Sequence, residues 1–168
     1  MPQQLQYLSP LGPLTLCSDD GIHLTALRFQ ENTAGDLLQP LPPLFQATVR
    51  WLDTYFAGQI PGELPPLAPD GTPFQLVVWR FLLEIPYGQV VSYGSIARKT
   101  AAALGKSRMS AQAVGGAVGR NPLPILIPCH RVVGANGSLT GYSGGLSIKR
   151  ALLQLEGVPV MSDAVPRP

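Results

Sequence analysis

The chain has 168 residues, of which 45% are hydrophobic and 13% are charged, a size that suits one ordinary core or a small domain joined to a larger one. No apolar run approaches the ~18 residues of a membrane span, and the start, Met1 to Gln4, lacks the basic residues of a secretory signal. Two cysteines are too few for a disulfide framework, so the composition predicts a cytoplasmic protein with reduced thiols.

The charge is divided unevenly along the chain, although the net charge is only +2. Residues 1–72 contain two basic and seven acidic residues, whereas residues 73–168 contain ten basic and three acidic ones. A basic half joined to an acidic half indicates that the basic half meets a polyanion such as nucleic acid.

The first segment has the pattern of a small unit of strands and one helix. Alternating apolar residues over 5–29, on either side of the turn signal Asp19-Asp20-Gly21, predict a β-hairpin. A polar, proline-containing loop is expected over 31–43. A helix that ends at Gly58 is then predicted from apolar residues at helical spacing, namely Phe45, Val49, Leu52 and Phe56.

A linker is predicted over 57–71, where seven of fifteen positions are Pro or Gly. The sign of the local charge changes just after it. We therefore expect two domains: residues 1–71, which include the linker, and residues 72–168.

The second domain begins with a clear helix start. Thr72 is a suitable cap and Pro73 suits the first helical turn. The apolar face of this helix runs to Ile85, and Pro86 ends it.

Two shorter helices are predicted next, with Ser92 and Ser110 as their caps. The second, Ala111 to Arg120, is rich in Ala and Gly, and the pair resembles a helix-turn-helix. Gly115 and Gly116 cost the helix roughly 1 kcal/mol each, which indicates that another helix or a ligand backbone approaches closely at that turn.

The segment from Asn121 to Val133 carries the most distinctive chemistry. Its prolines and its apolar run predict a stiff, buried, strand-like arm that holds Cys129 in one pose. His130 follows directly, and on an extended backbone neighbouring side chains point to opposite faces. A contact between thiol and imidazole would therefore need a turn, a helix start or a bridging water.

A thiol becomes a nucleophile when it is deprotonated, and a nearby histidine favours that. The last helix, predicted over Leu146 to Glu156, has Glu156 as its only carboxylate, so Glu156 is a candidate third member that orients His130. A Cys–His hydrolase is an alternative, but it lacks an obvious oxyanion arrangement. A zinc site would have to use Cys17, His23, Cys129 and His130, whose spacing matches no common ligand pattern, and we predict no metal.

A series of motifs in chain order resembles the O6-alkylguanine-DNA alkyltransferases. The segment Ile127-Pro128-Cys129-His130-Arg131-Val132 is similar to the active-site signature of that family. Further matches are Phe74 with Val78-Trp79, Ile85-Pro86-Tyr87-Gly88, Ser92-Tyr93, Ala113 to Ala117, Asn121-Pro122, Gly141 to Leu146, Lys149 and Glu156. The resemblance covers 73–157 closely and 1–56 only in layout. It implies an α+β fold: a small N-terminal ribonuclease-H-like domain of strands and helix, and a mainly helical C-terminal domain with a helix-turn-helix.

The resemblance implies a DNA repair activity without a cofactor. The alkyl group of O6-alkylguanine, and of O4-alkylthymine, would pass irreversibly to Cys129 in a single turnover. His130, through a water and with Glu156 behind it, would hold the thiol as thiolate. The hydroxyl of Tyr93 would share a proton with the departing guanine, and Asn121 would brace the turn around the cysteine.

The same resemblance implies double-stranded DNA as the partner. A monomer would bind the minor groove and flip the alkylated base into a pocket, at a cost of roughly a few kcal/mol. Tyr142 and Ser143 would line that pocket, with Ser143 donating to the O6 atom. The residues expected to contact substrate or DNA are Gln112, Ala113, Gly115, Gly116, Arg120, Arg131, Val132, Tyr142, Ser143, Gly144 and Lys149.

One position departs from the family pattern. The family usually has an arginine directly before its Ala-Val-Gly run, where it fills the gap left by the flipped base, and this chain has Gln112. Glutamine is shorter and uncharged, so we expect slower repair on duplex DNA than in a typical member. The segment from Tyr93 to Gln112 is also longer than is usual.

Two other functions stay open at this stage. A non-catalytic relative would recognise alkylguanine and recruit other repair factors, but in such relatives the cysteine is replaced. A transcription regulator would bind a specific DNA sequence and form no adduct. Because Cys129 is present, alkyl transfer is the first hypothesis.

Overall fold

The computed structural model describes residues 2–30, 40–142 and 144–160. Most of the loop predicted over 31–43, and the candidate pocket residue Ser143, therefore lie outside the described residues. The chain divides into two compact units, Met1–Asp70 and Gly71–Pro168. Across the described ranges, every helix is too short or too polar to cross a bilayer.

The first unit combines a three-stranded antiparallel sheet with one helix. The strands β1 (Gln3–Ser9), β2 (Gly12–Ser18) and β3 (Ala26–Arg28) lie in chain order across the sheet. The helix α1 spans Pro43–Phe56, so the predicted helix is confirmed. The buried face of α1 differs in part from the predicted one. It consists of Leu44, Phe45, Thr48, Leu52 and Tyr55, whereas Val49 and Phe56 are only half-buried.

The predicted hairpin turn is confirmed, because β2 and β3 pair antiparallel on either side of Asp19 to Gly21, but the prediction missed a second hairpin and placed Ile22 in a strand. The tight turn of the first hairpin lies between Ser9 and Gly12, which are paired, and Asp19 to Gly21 belongs to the connection from β2 to β3. The Asp20 carboxylate accepts backbone hydrogen bonds from Ile22 and His23, both at 2.8 Å. Such side-chain bonds compete with a strand ladder, and Ile22 is accordingly outside any strand and exposed.

The second unit is mainly helical. It contains α2 (Pro73–Leu82), β4 (Val91–Ser92), α3 (Tyr93–Ala103), α4 (Ala111–Gly119), a 3-10 turn (Cys129–Arg131), β5 (Val132–Val133) and α5 (Leu146–Leu155). All three predicted caps are confirmed, because Thr72, Ser92 and Ser110 each accept from a backbone N–H in the first turn of the helix that follows. The helix α2 packs on α4, where buried Trp79 donates through Nε1 to the Ala117 carbonyl at 2.8 Å.

The segment before Cys129 is buried as expected, but it is not strand-like. Asn121 holds a compact turn, since its Nδ2 donates to the Ile127 carbonyl at 2.7 Å and its Oδ1 accepts from Leu123 N at 2.9 Å. Ile125 lies at φ 74° within this turn. Prolines cannot donate to a ladder, and strand pairing begins only at β5, which pairs in parallel with β4.

Candidate active site

Cys129 and His130 occupy the first two positions of the 3-10 turn, and both are buried. A helix start was one of the three ways in which adjacent thiol and imidazole groups could act together. The Asn121 turn immediately before it fixes the approach of the chain, and the Asn121 side chain also hydrogen-bonds the thiol. The nucleophile candidate is thus positioned by backbone and side chain together.

Glu156 is the centre of a buried ionic cluster with His130 and Arg131. His130 Nε2 lies 2.6 Å from Oε2. Arg131 donates from Nε to Oε1 at 2.8 Å and from Nη2 to Oε2 at 3.1 Å. Gly88 N donates to Oε1 at 3.0 Å. Each carboxylate oxygen therefore interacts with two nitrogens, an arrangement that compensates a buried charge.

These contacts set the protonation states. Burial alone would raise the pKa of Glu156, but the hydrogen bonds from His130 and Arg131 outweigh it and lower that pKa to about 2. Burial lowers the pKa of His130, against the opposing effect of Glu156. The ionised carboxylate accepts a hydrogen bond from Nε2–H of the neutral imidazole, which leaves Nδ1 as the nitrogen that can receive a proton.

Arg131 was expected to contact substrate or DNA, and the structure places it elsewhere. Its side chain is 10% exposed, and besides Glu156 it donates from Nη1 to the Ile85 carbonyl at 2.8 Å. Its guanidinium also lies 5.7 Å from the centre of the Tyr87 ring. With these partners Arg131 stabilises the carboxylate cluster and is not available to phosphates.

Lys149 and Val132 were also assigned to substrate or DNA contacts, and both are fully buried. Lys149 Nζ donates to the carbonyls of Val132 at 2.7 Å and Thr140 at 2.8 Å. Burial lowers the pKa of Lys149 to about 8, although the nearby Cys129 sulfur opposes that shift. Lys149 therefore holds the loop at Thr140 to strand β5 from inside the unit.

Burial of Cys129 favours the protonated thiol, whereas the resemblance implied a thiolate. Burial raises the pKa of Cys129 to about 11, and the opposing effects of the Asn121 hydrogen bond, the Lys149 charge and the Tyr142 hydrogen bond do not overcome that. Since a thiolate is the nucleophilic form, deprotonation has to accompany substrate binding or the transfer itself.

This state gives a direct test. In a Cys17→Ser background, the ultraviolet absorbance of a thiolate should stay absent at neutral pH and grow only as the pH nears the pKa of Cys129, about 11. The pKa of Cys129 is raised because burial disfavours the charged form of the thiol. The same protein with Cys129→Ser supplies the baseline. A thiolate signal already complete at neutral pH would contradict this assignment.

A cavity of about 630 Å³ opens beside the groups that hydrogen-bond the Cys129 thiol. It is lined by Tyr93, Ala111, Gln112, Gly115, Gly119, Thr140, Gly141 and Tyr142. Tyr142 connects the two, because it lines the cavity and hydrogen-bonds Cys129. Tyr93 is held by Thr140, whose hydroxyl donates to the phenol oxygen at 3.2 Å. Burial raises the pKa of Tyr93, so its hydroxyl keeps a proton that it can donate. The volume is in the range of small-molecule sites.

The outer face of α4 is open rather than packed. A Cβ at Gly115 would meet the Tyr93 ring at 3.9 Å, and one at Gly116 would meet only the flexible Arg120 guanidinium, at 3.3 Å. The neighbouring helix α3 reaches Gly115 only at an ordinary contact distance, through Tyr93, so close helix packing does not require either glycine. Ala113 is exposed on this helix, and Arg120 donates back to the Gly116 carbonyl at 3.2 Å.

Sequence reasoning missed the backbone groups that complete the site. The carbonyls of Ile85 and Thr140 and the N–H of Gly88 are all partners of functional side chains. Gly88 takes φ 79°, and a Cβ there would lie 3.3 Å from the Glu156 carbonyl. The turn signal Pro86-Tyr87-Gly88 marked the place, but only the fold shows that it faces Glu156. Gly144 is half-buried.

The fold and site define a class of protein in which a helical unit carries a buried cysteine backed by a histidine–glutamate pair. Comparisons with known proteins agree. Residues 73–158 match the family described as 6-O-methylguanine DNA methyltransferase, DNA binding domain, and residues 6–64 match its ribonuclease-like domain. The chain therefore belongs to the 6-O-methylguanine DNA methyltransferase family, and the predicted fold class is confirmed.

Individual relatives are similar over most of the chain. The methylated-DNA–protein-cysteine methyltransferase of Mycobacterium tuberculosis is 47% identical over 151 residues, 88% of each chain. That of Methanosarcina acetivorans is 43% identical over 89% of this chain and 94% of its own. The crystal structure of the M. tuberculosis O6-methylguanine methyltransferase superposes with a TM-score of 0.78 at 43% identity, covering 97% of both chains. The M. tuberculosis OGT solved in complex with DNA gives 0.75 at 46% identity, over 92% of this chain and 91% of that one.

Proposed function

We propose that this protein repairs DNA by moving the alkyl group of O6-alkylguanine, and of O4-alkylthymine, to its own Cys129. The observation that carries the proposal is the geometry at Cys129. The thiol is hydrogen-bonded by a wall residue of a nucleotide-sized cavity, and it is adjacent to a neutral histidine backed by an ionised glutamate. The relatives named above, methylated-DNA–protein-cysteine methyltransferases, support it.

The step is a displacement at the alkyl carbon. The bond from Cys129 Sγ to that carbon forms as the bond from carbon to guanine O6 breaks. The thiol proton leaves to Nδ1 of His130 through a water, and Glu156 stabilises the imidazolium that results. Tyr93 donates a proton to the departing guanine and then regains one from the His130 imidazolium through solvent, so the proton lost by the thiol ends on the base and both side chains are restored.

The product is a thioether, and this chemistry contains no step that returns it to a thiol. Each protein molecule therefore accepts one alkyl group. It works without a cofactor, as a monomer, and we place it in the cytoplasm, where its two free cysteines stay reduced.

DNA is the expected partner, with the base flipped out of the duplex into the cavity. The open face of α4, where Gln112, Ala113, Gly115 and Gly116 lie, is the surface that we assign to the minor groove, because small residues allow close approach there. The solved complex of M. tuberculosis OGT with DNA supports this partner.

The proposal is tested by counting repaired lesions. With lesion-bearing duplex in excess, the number of O6-methylguanines lost should equal the number of protein molecules and then stop. Cys17→Ser should give the same count. Continued turnover would contradict a self-alkylating mechanism, and binding without any loss of lesions would favour the non-catalytic alternative.

Gln112→Arg is expected to raise both duplex affinity and the repair rate. Gln112 is exposed at the cavity rim on α4, and an arginine there adds a charge and a longer side chain beside the gap left by a flipped base. A gain of about fivefold corresponds to one modest contact. Gln112→Met, of similar length and uncharged, serves as the control. Unchanged affinity and rate in the arginine variant would refute the idea that Gln112 limits this protein.

A further inference from the structure

A second cavity, of about 380 Å³, lies between the end of α3 and the start of α4. Its walls carry three basic side chains, Arg98, Lys106 and Arg108, together with the Ser107 hydroxyl. The remaining lining is mostly small: Gly94, Ala97, Ala101, Ala102, Met109 and Ala111. The result is a concave basic surface with a shallow floor.

The connection between the helices is ordered by its own backbone. Lys106 N donates to the Ala101 carbonyl at 2.8 Å, and Gly105 N donates to Ala102 O at 3.2 Å. Gly105 takes φ 69° at this reversal. The chain therefore folds back on α3, and that return brings Lys106 and Arg108 to the same cavity as Arg98.

The positive charge of this cavity has no counter-charge among the described residues of its unit. The carboxylates in 71–142 and 144–160 are Glu84 and Glu156. Glu156 is buried with His130 and Arg131, and Glu84 lies 4.0 Å from Lys99. Arg98, Lys106 and Arg108 form no ion pair in the described part of the chain, and all three are exposed. Cations gathered in a concave site without a counter-charge favour an anionic ligand.

The position of the cavity identifies the anion. Ala111, the first residue of α4, lines this cavity and also the cavity beside Cys129. A nucleotide whose base enters the latter carries its phosphodiester chain past the start of α4. We propose that the basic cavity binds a backbone phosphate of the DNA strand next to the flipped nucleotide. This inference rests on the proposed function.

The role differs from that of the catalytic cluster, because a phosphate contact fixes the register of DNA without reading its bases. It also differs from Arg120, which lies at the other end of α4 and donates to its own helix. The end of α3 and the connection to α4 thereby supply positive charge for DNA binding that Gln112 itself does not offer.

The experiment compares a double variant, Lys106→Ala with Arg108→Ala, with a charge-matched control, Arg50→Ala with Arg80→Ala. All four side chains are exposed, and neither control residue lines either cavity. Two substrates separate the effects: lesion-bearing duplex, which carries phosphates, and free O6-benzylguanine, which carries none.

We expect the cavity variant to bind duplex at least about tenfold more weakly, the size of one lost charge-assisted hydrogen bond. The slope of log affinity against log salt should fall by about 0.9, the value for one phosphate. Reaction with free O6-benzylguanine should be unchanged. Lys106→Arg with Arg108→Lys should retain duplex binding.

Equal duplex affinity and salt slope in the cavity variant and the control would overturn the proposal. A parallel fall in the free-base rate would also overturn it, because it would show damage to the fold rather than loss of a phosphate contact. Failure of the proposed function is distinguishable, since the unmodified protein would then transfer nothing from either substrate.

Discussion

Cys129→Ser should abolish alkyl transfer and leave DNA binding intact. Serine has nearly the same size, so the Asn121 turn and the buried packing around it are preserved. Its hydroxyl is a far weaker nucleophile than a thiol, and the neutral His130 that serves the cysteine cannot make up the difference here. We expect no detectable adduct and a duplex affinity within about twofold of the unmodified protein.

Affinity is measured by fluorescence anisotropy with a lesion-bearing duplex, and transfer by loss of the lesion. Cys17→Ser is the matched control, because it removes the other buried thiol and leaves the active site unchanged. Survival of transfer in Cys129→Ser would discredit Cys129 as the nucleophile. Loss of both binding and transfer would instead indicate that the substitution disturbs the fold.

Glu156→Gln is expected to destabilise the second unit severely. The carboxylate accepts from Arg131, Gly88 and the His130 ring, and a glutamine would aim an N–H₂ group at donors on one side. Arg131 would then keep a buried charge with no counter-charge. Breaking a buried pair in this way costs about 3–5 kcal/mol of unfolding free energy.

Urea denaturation measures that loss. Glu84→Gln is the control, since Glu84 is exposed and 4.0 Å from Lys99, and it should change stability by at most about 0.5 kcal/mol. A Glu156→Gln protein as stable as the control would show that the buried cluster contributes little.

The same carboxylate makes stability depend on pH. The pKa of Glu156 is lowered from 4.5 to about 2 in the folded protein. Its stabilising contribution is therefore complete above about pH 4.5 and is lost as the pH falls toward 2. Glu156→Gln should lack this part of the acid dependence.

Local sequence rules predicted those features that local contacts decide. Thr72, Ser92 and Ser110 cap their helices because the cap contact is with a backbone N–H three residues away. The same reasoning found the turn at Asp19 to Gly21, which connects β2 to β3, but it missed the turn at Pro10 and Leu11, which divides the predicted first strand into β1 and β2. Register depends on which strand pairs with which, and no short window contains that information.

In the candidate site, too, the sequence predicted what depends on local motifs and not what depends on contacts between distant residues. The motif around Cys129 and the lone carboxylate Glu156 indicated the chemistry, and the structure brings Glu156 onto His130 across 26 positions of sequence. Arg131 and Lys149 have buried partners that the sequence did not predict, because a basic residue is as suited to a buried anion or carbonyl as to a phosphate. The partner of Arg131 is Glu156, and the partners of Lys149 are the carbonyls of Val132 and Thr140. Only the fold brings these groups together.

The sequence likewise did not predict that the pKa of Cys129 is raised. An adjacent histidine predicts an ionised thiol, but burial raises the pKa of Cys129 and outweighs the opposing effects of Asn121, Lys149 and Tyr142. Burial of the thiol depends on the Asn121 turn and the packing of the whole unit. The direction of the pKa shift of Cys129 therefore follows only from the three-dimensional structure.

The most direct test of alkyl transfer to Cys129 is the mass of the peptide that contains this residue after incubation with O6-methylguanine duplex. We expect this peptide to become heavier by the mass of one methylene group, once per protein molecule, and the Cys17 peptide to be unchanged. An unmodified Cys129 peptide after full exposure to the lesion, or an adduct on any other residue, would contradict it.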